Sequence, residues 1–189
     1  TARPASLPAI SMSSISNSRI ARRRFCLALA AWPLAVSATS GPHSLVAGMQ
    51  RWGSGEFRRF GFLVYEATLW AGSDDPLRPP LALRLTYRRS ISGKSITEAS
   101  VGEIRNLGVA DEGSLTLWGE QMGRIFPDVR PGDEILGVQL PDGARFFHND
   151  RSLGAIDDPA FARAFFAIWL DPRTSAPELR SALLQRPPA

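Results

Sequence analysis

Arg58 and Arg59 stand side by side at the head of the apolar run Phe60 to Trp70, and Tyr65 lies in its middle. A guanidinium at the mouth of an apolar cleft can hold a carboxylate or an enolate through paired N–H donors. Successive strand residues face opposite sides, so at most one of the two arginines points into such a cleft unless a bulge intervenes. The alternative is that both are solvated at the strand end. A tyrosine among apolar neighbours needs a partner for its hydroxyl; Tyr65 is either a structural group or part of the same cleft. The other chemical groups offer less. His43 and His148 are isolated, with no spaced ligand set such as His-x-x-x-His, and the carboxylates fall mostly at caps and turns. There is no Gly-x-Ser-x-Gly elbow and no Gly-x-x-x-x-Gly-Lys phosphate loop. Gly53-Ser-Gly55 precedes a strand, where it reads as a flexible entry and not as a nucleotide loop. On spacing alone the sequence shows no enzyme, and neither metal nor cofactor is expected.

These residues must be positioned by strands and helices. Residues 57 to 71 are apolar on both parities and read as one long central strand, which at ~3.3 Å per residue would span roughly 50 Å, with a bulge at Gly61. Leu45-Val46 suggests a short strand before it. Leu81 to Tyr87 alternates and should pair antiparallel with the long strand. Ser90 or Ser92 caps a helix over 93 to 107 that Gly108 closes, and Asp111 opens a second helix ending at Pro127. Three short strands follow over Glu134–Leu140, Ala144–Phe147 and Ser152–Ile156. Asp157 or Asp158 then caps an apolar helix to Leu170, and Ser175-Ala-Pro-Glu178 reads as a capping box for a last short helix. Grouped strands and grouped helices argue α+β: a large antiparallel sheet with a layer of helices on one face.

The formal charge of +4 is misleading. Five arginines and no acid lie in the first 38 residues, and setting them aside leaves 17 basic against 18 acidic residues. A nucleic-acid partner, which would need positive charge on the folded domain, is therefore not expected. Residues 1 to 18 are Ser/Pro/Ala-rich and read as disordered. Arg19 to Arg24 is a positive segment, Phe25 to Ala38 an apolar one of 14 residues, and Val36-Ser-Ala38 offers small residues for cleavage. The apolar segment is shorter than the ~20 residues a bilayer-spanning helix needs. Residues 1–38 thus read as a disordered start plus a secretory signal peptide cut after Ala38, and residues 39–189 as the domain. The cut chain would be periplasmic or secreted, without a transmembrane span. It would also lack Cys26, the sole cysteine.

The pattern Gly-x-Gly, then Arg, then Phe60-Gly-Phe-x-Val-Tyr-x-Ala-x-Leu-Trp70 resembles bacterial chalcone isomerase-like proteins. Phe161 to Pro172 followed by Leu179-Arg-x-x-Leu-Leu184 is similar to that family's C-terminal signature, and Leu85-Thr-Tyr and Asp128-Val-x-x-Gly-Asp133 fall between them in order. The resemblance covers about residues 45 to 185. It implies an open-faced β-sandwich, a large antiparallel sheet carrying helices with a ligand cleft between. True chalcone isomerases cyclise a chalcone with an Arg holding the ligand and Tyr, Asn and Thr side chains assisting. Here Arg58 or Arg59 would stand for the arginine. The threonine falls near Val64 or Tyr65 and is absent, the asparagine position is Ala99, no Tyr lies nearer than Tyr87, and the polar residue of the later helix is Arg163. The fold carries over, and the activity is not expected to.

Three functions are then open. One is a non-catalytic envelope protein binding a small amphipathic ligand such as a fatty acid, with Arg58, Arg59 and Tyr65 as ligand-binding residues. Fatty-acid binding occurs among members of the wider family. The second is an isomerase or lyase with a remodelled site. The third is a structural or partner-binding domain whose core is filled.

Overall fold

The computed structural model describes residues 42–186, so the segment read as a leader, with cleavage expected after Ala38, lies outside the described residues. The apolar run read as one long strand is two: β1 (Gln50–Arg59) and β2 (Phe62–Ala71). The chain reverses at Phe60 and Gly61, with φ of 51° and 80°, and Arg59 pairs with Phe62 across the turn. Positive φ at both central residues is what a type I′ turn requires, a turn that favours Asn-Gly. A phenylalanine in its first position conceals it in the sequence. Phe60 and Phe62 are consequently exposed, at 87% and 60%, instead of lying in a covered central strand. Holding a bulky residue at positive φ costs about 1 kcal/mol. Phe60→Asn is therefore expected to raise the unfolding free energy by about that amount in urea titration; an unchanged midpoint would mean that this turn carries no strain.

β3 (Leu81–Tyr87), β4 (Glu134–Leu140), β5 (Gly143–His148) and β6 (Arg151–Ile156) complete a six-stranded, wholly antiparallel sheet in sequence order, with β1 at one edge. The alternation of β3 places Leu81, Leu83, Leu85 and Tyr87 on the helix-bearing face, all buried. On the opposite face Ala82, Leu136, Val138 and Phe147 form a smaller cluster. It is covered in part by Leu45, Val46 and Met49, from and just after α1 (Pro42–Val46). Leu45-Val46 is thus helical and not a strand. Five residues carry too little periodicity to show it.

The helical layer begins with α2 (Gly93–Leu107). Ser92 caps it by accepting from the Ser95 N–H at 3.1 Å, and Gly108 closes it at φ 67°. Asp111 caps α3 (Glu112–Ile125). Asp158 caps α4 (Pro159–Leu170), accepting from Ala160 N–H at 2.7 Å and from the Trp118 indole at 2.9 Å, so one carboxylate ties α3 to α4. Partial burial opposes its charge. The hydrogen bonds from Trp118, Phe161 N–H and Ala160 N–H, with the field of Arg163, outweigh that and hold its pKa below the ordinary range. α4 carries its aromatic residues into the core, where Phe165 touches the rings of Phe126, Phe146, Phe161, Phe166 and Trp169 at centroid separations of 5.1 to 6.0 Å.

α5 (Pro177–Leu184) lies along β1. Its N-cap is Ala176, which makes no side-chain cap bond, so Ser175-Ala-Pro-Glu178 is not a capping box. Thr174, buried beneath, accepts from Ala176 N–H instead, and Pro177 presets the first turn. The Gly-Ser-Gly stretch is likewise not a flexible entry. Gly53 and Gly55 are inside β1, and a Cβ on Gly53 would run into the carbonyl oxygens of Ala182 and Leu183. A Cβ on Gly55 would sit 2.8 Å from Ala182 Cβ and 3.0 Å from Leu179 Cδ1. The glycines let a helix backbone lie directly on the edge strand.

Candidate functional site

Between the sheet and the helical layer lies a cavity of about 280 Å³. It is walled by Phe57, Tyr65, Leu85 and Tyr87 from the sheet, by Ile96, Ala99 and Glu103 from α2, and by Phe165, Ile168 and Trp169 from α4. Ser175 and Ala176, just before α5, close one side.

Alternation along β1 decides between the two arginines. Phe57 and Arg59 share a parity and both line the cavity, whereas Arg58 shares its parity with Glu56. Arg58 is ion-paired with Glu56 at 2.7 Å and is not on the lining. Arg59 is exposed and lies over the Phe60 ring at 5.5 Å; among the described residues it has no ion-pair partner. A bulge helps to shape this end. Phe57 pairs with Tyr65 and Arg58 with Leu63, so Val64 is the extra residue and joins Tyr65 on the lining.

Tyr65 is both structural and part of the lining. Its hydroxyl accepts a hydrogen bond from the Trp169 indole N–H at 3.0 Å, joining β2 to α4. Phe57 stacks on its ring at 4.9 Å, and Tyr87, paired with it across the strands, meets it edge-on at 5.9 Å. Burial pushes the Tyr65 phenol above its ordinary pKa; the Trp169 hydrogen bond acts against this and the charge of Glu103 adds to it. Burial also raises Tyr87, and Tyr65 adds to that shift. Both phenols therefore stay neutral near neutral pH and can act as hydrogen-bond donors into the cavity, not as bases.

Glu103 was hidden in the sequence among scattered carboxylates. It is half-buried and is the one acidic residue on the lining; among the described residues it has no ion-pair partner. The available signal was helical: Ser95, Ala99 and Glu103 recur every four residues on α2 and share one side of it. Nothing on the lining forms a nucleophile–base pair. Outside the cavity, His148 lies 3.6 Å from Asp133 and His43 4.0 Å from Asp150. No group of three or more His, Cys, Asp or Glu able to hold a metal occurs among the described residues.

The positions at which the resemblance implies polar catalytic groups can now be located. Val64 and Tyr65 line the cavity where a threonine would lie, and Ala99 lines it where an asparagine would. Arg163 is exposed and off the lining. The family model described as chalcone isomerase-like matches residues 53–185. The chain belongs to the chalcone isomerase-like family. A protein of Haemophilus influenzae is 33% identical over 134 residues, a match spanning 70% of this chain and 66% of that protein. Among solved structures, a fatty-acid-binding protein of Arabidopsis thaliana superposes with a TM-score of 0.55 over 72% of this chain and 87% of its own, at 12% identity. At that identity the likeness is one of fold. It confirms the α+β architecture of this chalcone isomerase-like chain, an open antiparallel sheet carrying helices. No helix among the described residues is long and apolar enough to cross a membrane.

Proposed function

We propose that this protein binds a small amphipathic carboxylate of the fatty-acid type and does not turn it over. The carrying observation is an apolar cavity with one guanidinium, Arg59, at its rim and with Val64 and Ala99 in place of catalytic polar groups. The acyl chain packs among Phe57, Leu85, Ile96 and Ile168, and the carboxylate meets Arg59. The neutral Tyr65 hydroxyl, already accepting from Trp169, is left with its own proton to donate. At about 280 Å³ the cavity is near the lower end of the ~300–1,000 Å³ common for ligand sites, which favours a short or bent chain. The fold it shares with a fatty-acid-binding protein of Arabidopsis supports this reading. The Arg-rich and apolar segments before Ala38 support a site of action in the bacterial envelope.

Lipid extracted from the purified protein should contain a fatty acid, identified by mass spectrometry. In titrations with that acid, Arg59→Ala is expected to weaken binding about tenfold, the worth of one charge-assisted hydrogen bond at an exposed rim. Arg58→Ala should change it less than twofold, because an exposed pair with Glu56 is worth little. Equal effects of the two changes, or no ligand at all, would end this reading.

Glu103 favours a second reading, an isomerase or lyase with a remodelled site, since it is a half-buried carboxylate on the same cavity lining as the Tyr65 and Tyr87 phenols. The two readings predict opposite results for Glu103→Gln. A binding site loses a repulsive carboxylate, and fatty-acid affinity rises about threefold. A catalytic site loses its turnover.

A further inference from the structure

The β1–β2 hairpin tip is unlike the rest of the surface. Phe60 and Phe62 project from a two-residue turn with 87% and 60% of their surface exposed. Arginines surround them. The Arg59 guanidinium lies 5.5 Å from the centre of the Phe60 ring, and that of Arg89 lies 4.6 Å from the Phe62 ring. Arg58 and Arg88 flank these, paired with Glu56 and Glu66 respectively. Among the described residues Arg59 and Arg89 have no ion-pair partner, so the tip keeps net positive charge. Phe60 also occupies a positive-φ position that suits asparagine or glycine, so an exposed aromatic group is held there against the local backbone preference.

We propose that this tip docks on an anionic phospholipid bilayer, with the two rings in the headgroup boundary and the arginines on lipid phosphates. Exposed Phe side chains next to cationic groups bury in the headgroup boundary of interfacial anchors, and guanidinium groups bind phosphates with paired donors. Size argues against a protein partner: at these exposures the two aromatic side chains offer roughly 300 Å² of apolar surface, whereas a specific interface takes about 800 Å² from each side. Because Arg59 belongs both to the tip and to the cavity lining, docking brings the cavity rim to the lipid surface. That consequence, uptake or delivery of an amphipathic ligand at the membrane, rests on the function proposed above; docking itself does not.

The test places an environment-sensitive fluorophore at Phe62→Cys in the full chain carrying Cys26→Ser. A control carries the fluorophore at Leu117→Cys, an exposed site on α3. With vesicles of equimolar phosphatidylcholine and phosphatidylglycerol, the tip label should shift to the blue and the α3 label should not. Vesicles of phosphatidylcholine alone, or high salt, should weaken the shift. Adding Phe60→Asn, which is expected to stabilise the fold, should raise the lipid concentration for half-maximal shift about tenfold. No shift at the tip, equal shifts at both sites, or an unchanged response in Phe60→Asn would overturn the proposal. So would a tip shift caused by concentrating the protein without vesicles, which would assign the tip to a second copy. Fatty-acid titration of Phe60→Asn in solution separates the two ideas: unchanged affinity with lost vesicle response leaves ligand binding standing and confirms the tip as the docking element.

Discussion

Gly53→Ala is expected to cost about 3 kcal/mol of stability and to loosen α5 from β1. Gly53 is buried in the edge strand, and its missing Cβ is the space in which the carbonyl oxygens of Ala182 and Leu183 lie. Those atoms are backbone, so no rotamer change relieves the overlap. The helix itself must move, and with it Leu179 and Leu183, both fully within the core. It would also disturb the hydrogen bond from the Trp52 indole to the Leu184 carbonyl, 3.0 Å long. Gly55→Ala is the internal comparison. Its Cβ would press on the Ala182 methyl, which no rotamer moves, and on the end of the Leu179 side chain, but no backbone atom lies closer than 3.8 Å, so a smaller cost of about 2 kcal/mol is expected. Urea unfolding of both variants measures the difference, and limited proteolysis across residues 177–186 reads whether α5 has come loose. Equal midpoints for the two variants would refute this account. Because Ser175 and Ala176 close the cavity just before α5, Gly53→Ala should also weaken ligand binding, although it touches no lining residue.

The same glycines show what a sequence can and cannot convey. Their types were visible, but the reason for them lies about 130 residues away in α5, a contact that no local pattern encodes. Helices that carry their own punctuation were legible: Ser92 and Gly108 bound α2, and Asp158 with Pro159 opens α4. The ladder from β3 to β6 was legible through alternation and turn residues. The β1–β2 turn was not, because Phe60 stands where asparagine would have announced it. A single apolar run therefore concealed two strands and a bulge. Of the candidate site, Arg59 and Tyr65 could be nominated from residue type alone. Choosing between Arg58 and Arg59 needed the strand parity that only a fixed turn provides. Glu103 needed the rotation of α2 about its axis, which sequence leaves free until the helix packs.

Phe165→Ala connects stability to the ligand. The ring is buried, contacts five other aromatic rings, and also forms part of the cavity wall. Truncating such a residue costs about 4 kcal/mol when the void stays empty. Here the void would open into an existing cavity, so the cost depends on what fills it. If the proposed function holds, a fatty acid longer or more branched than the one the wild type binds best should bind the variant more tightly than it binds the wild type, and should restore part of the lost stability by mass action. The two effects come from one cause, so they must appear together in thermal unfolding with and without each acid. Loss of stability without any change in chain preference would mean that the neighbouring rings collapse into the space, or that the cavity holds no acyl chain. Phe161→Ala is the control: that ring is as deeply buried but off the lining, so its loss should cost similar stability and leave ligand preference unchanged.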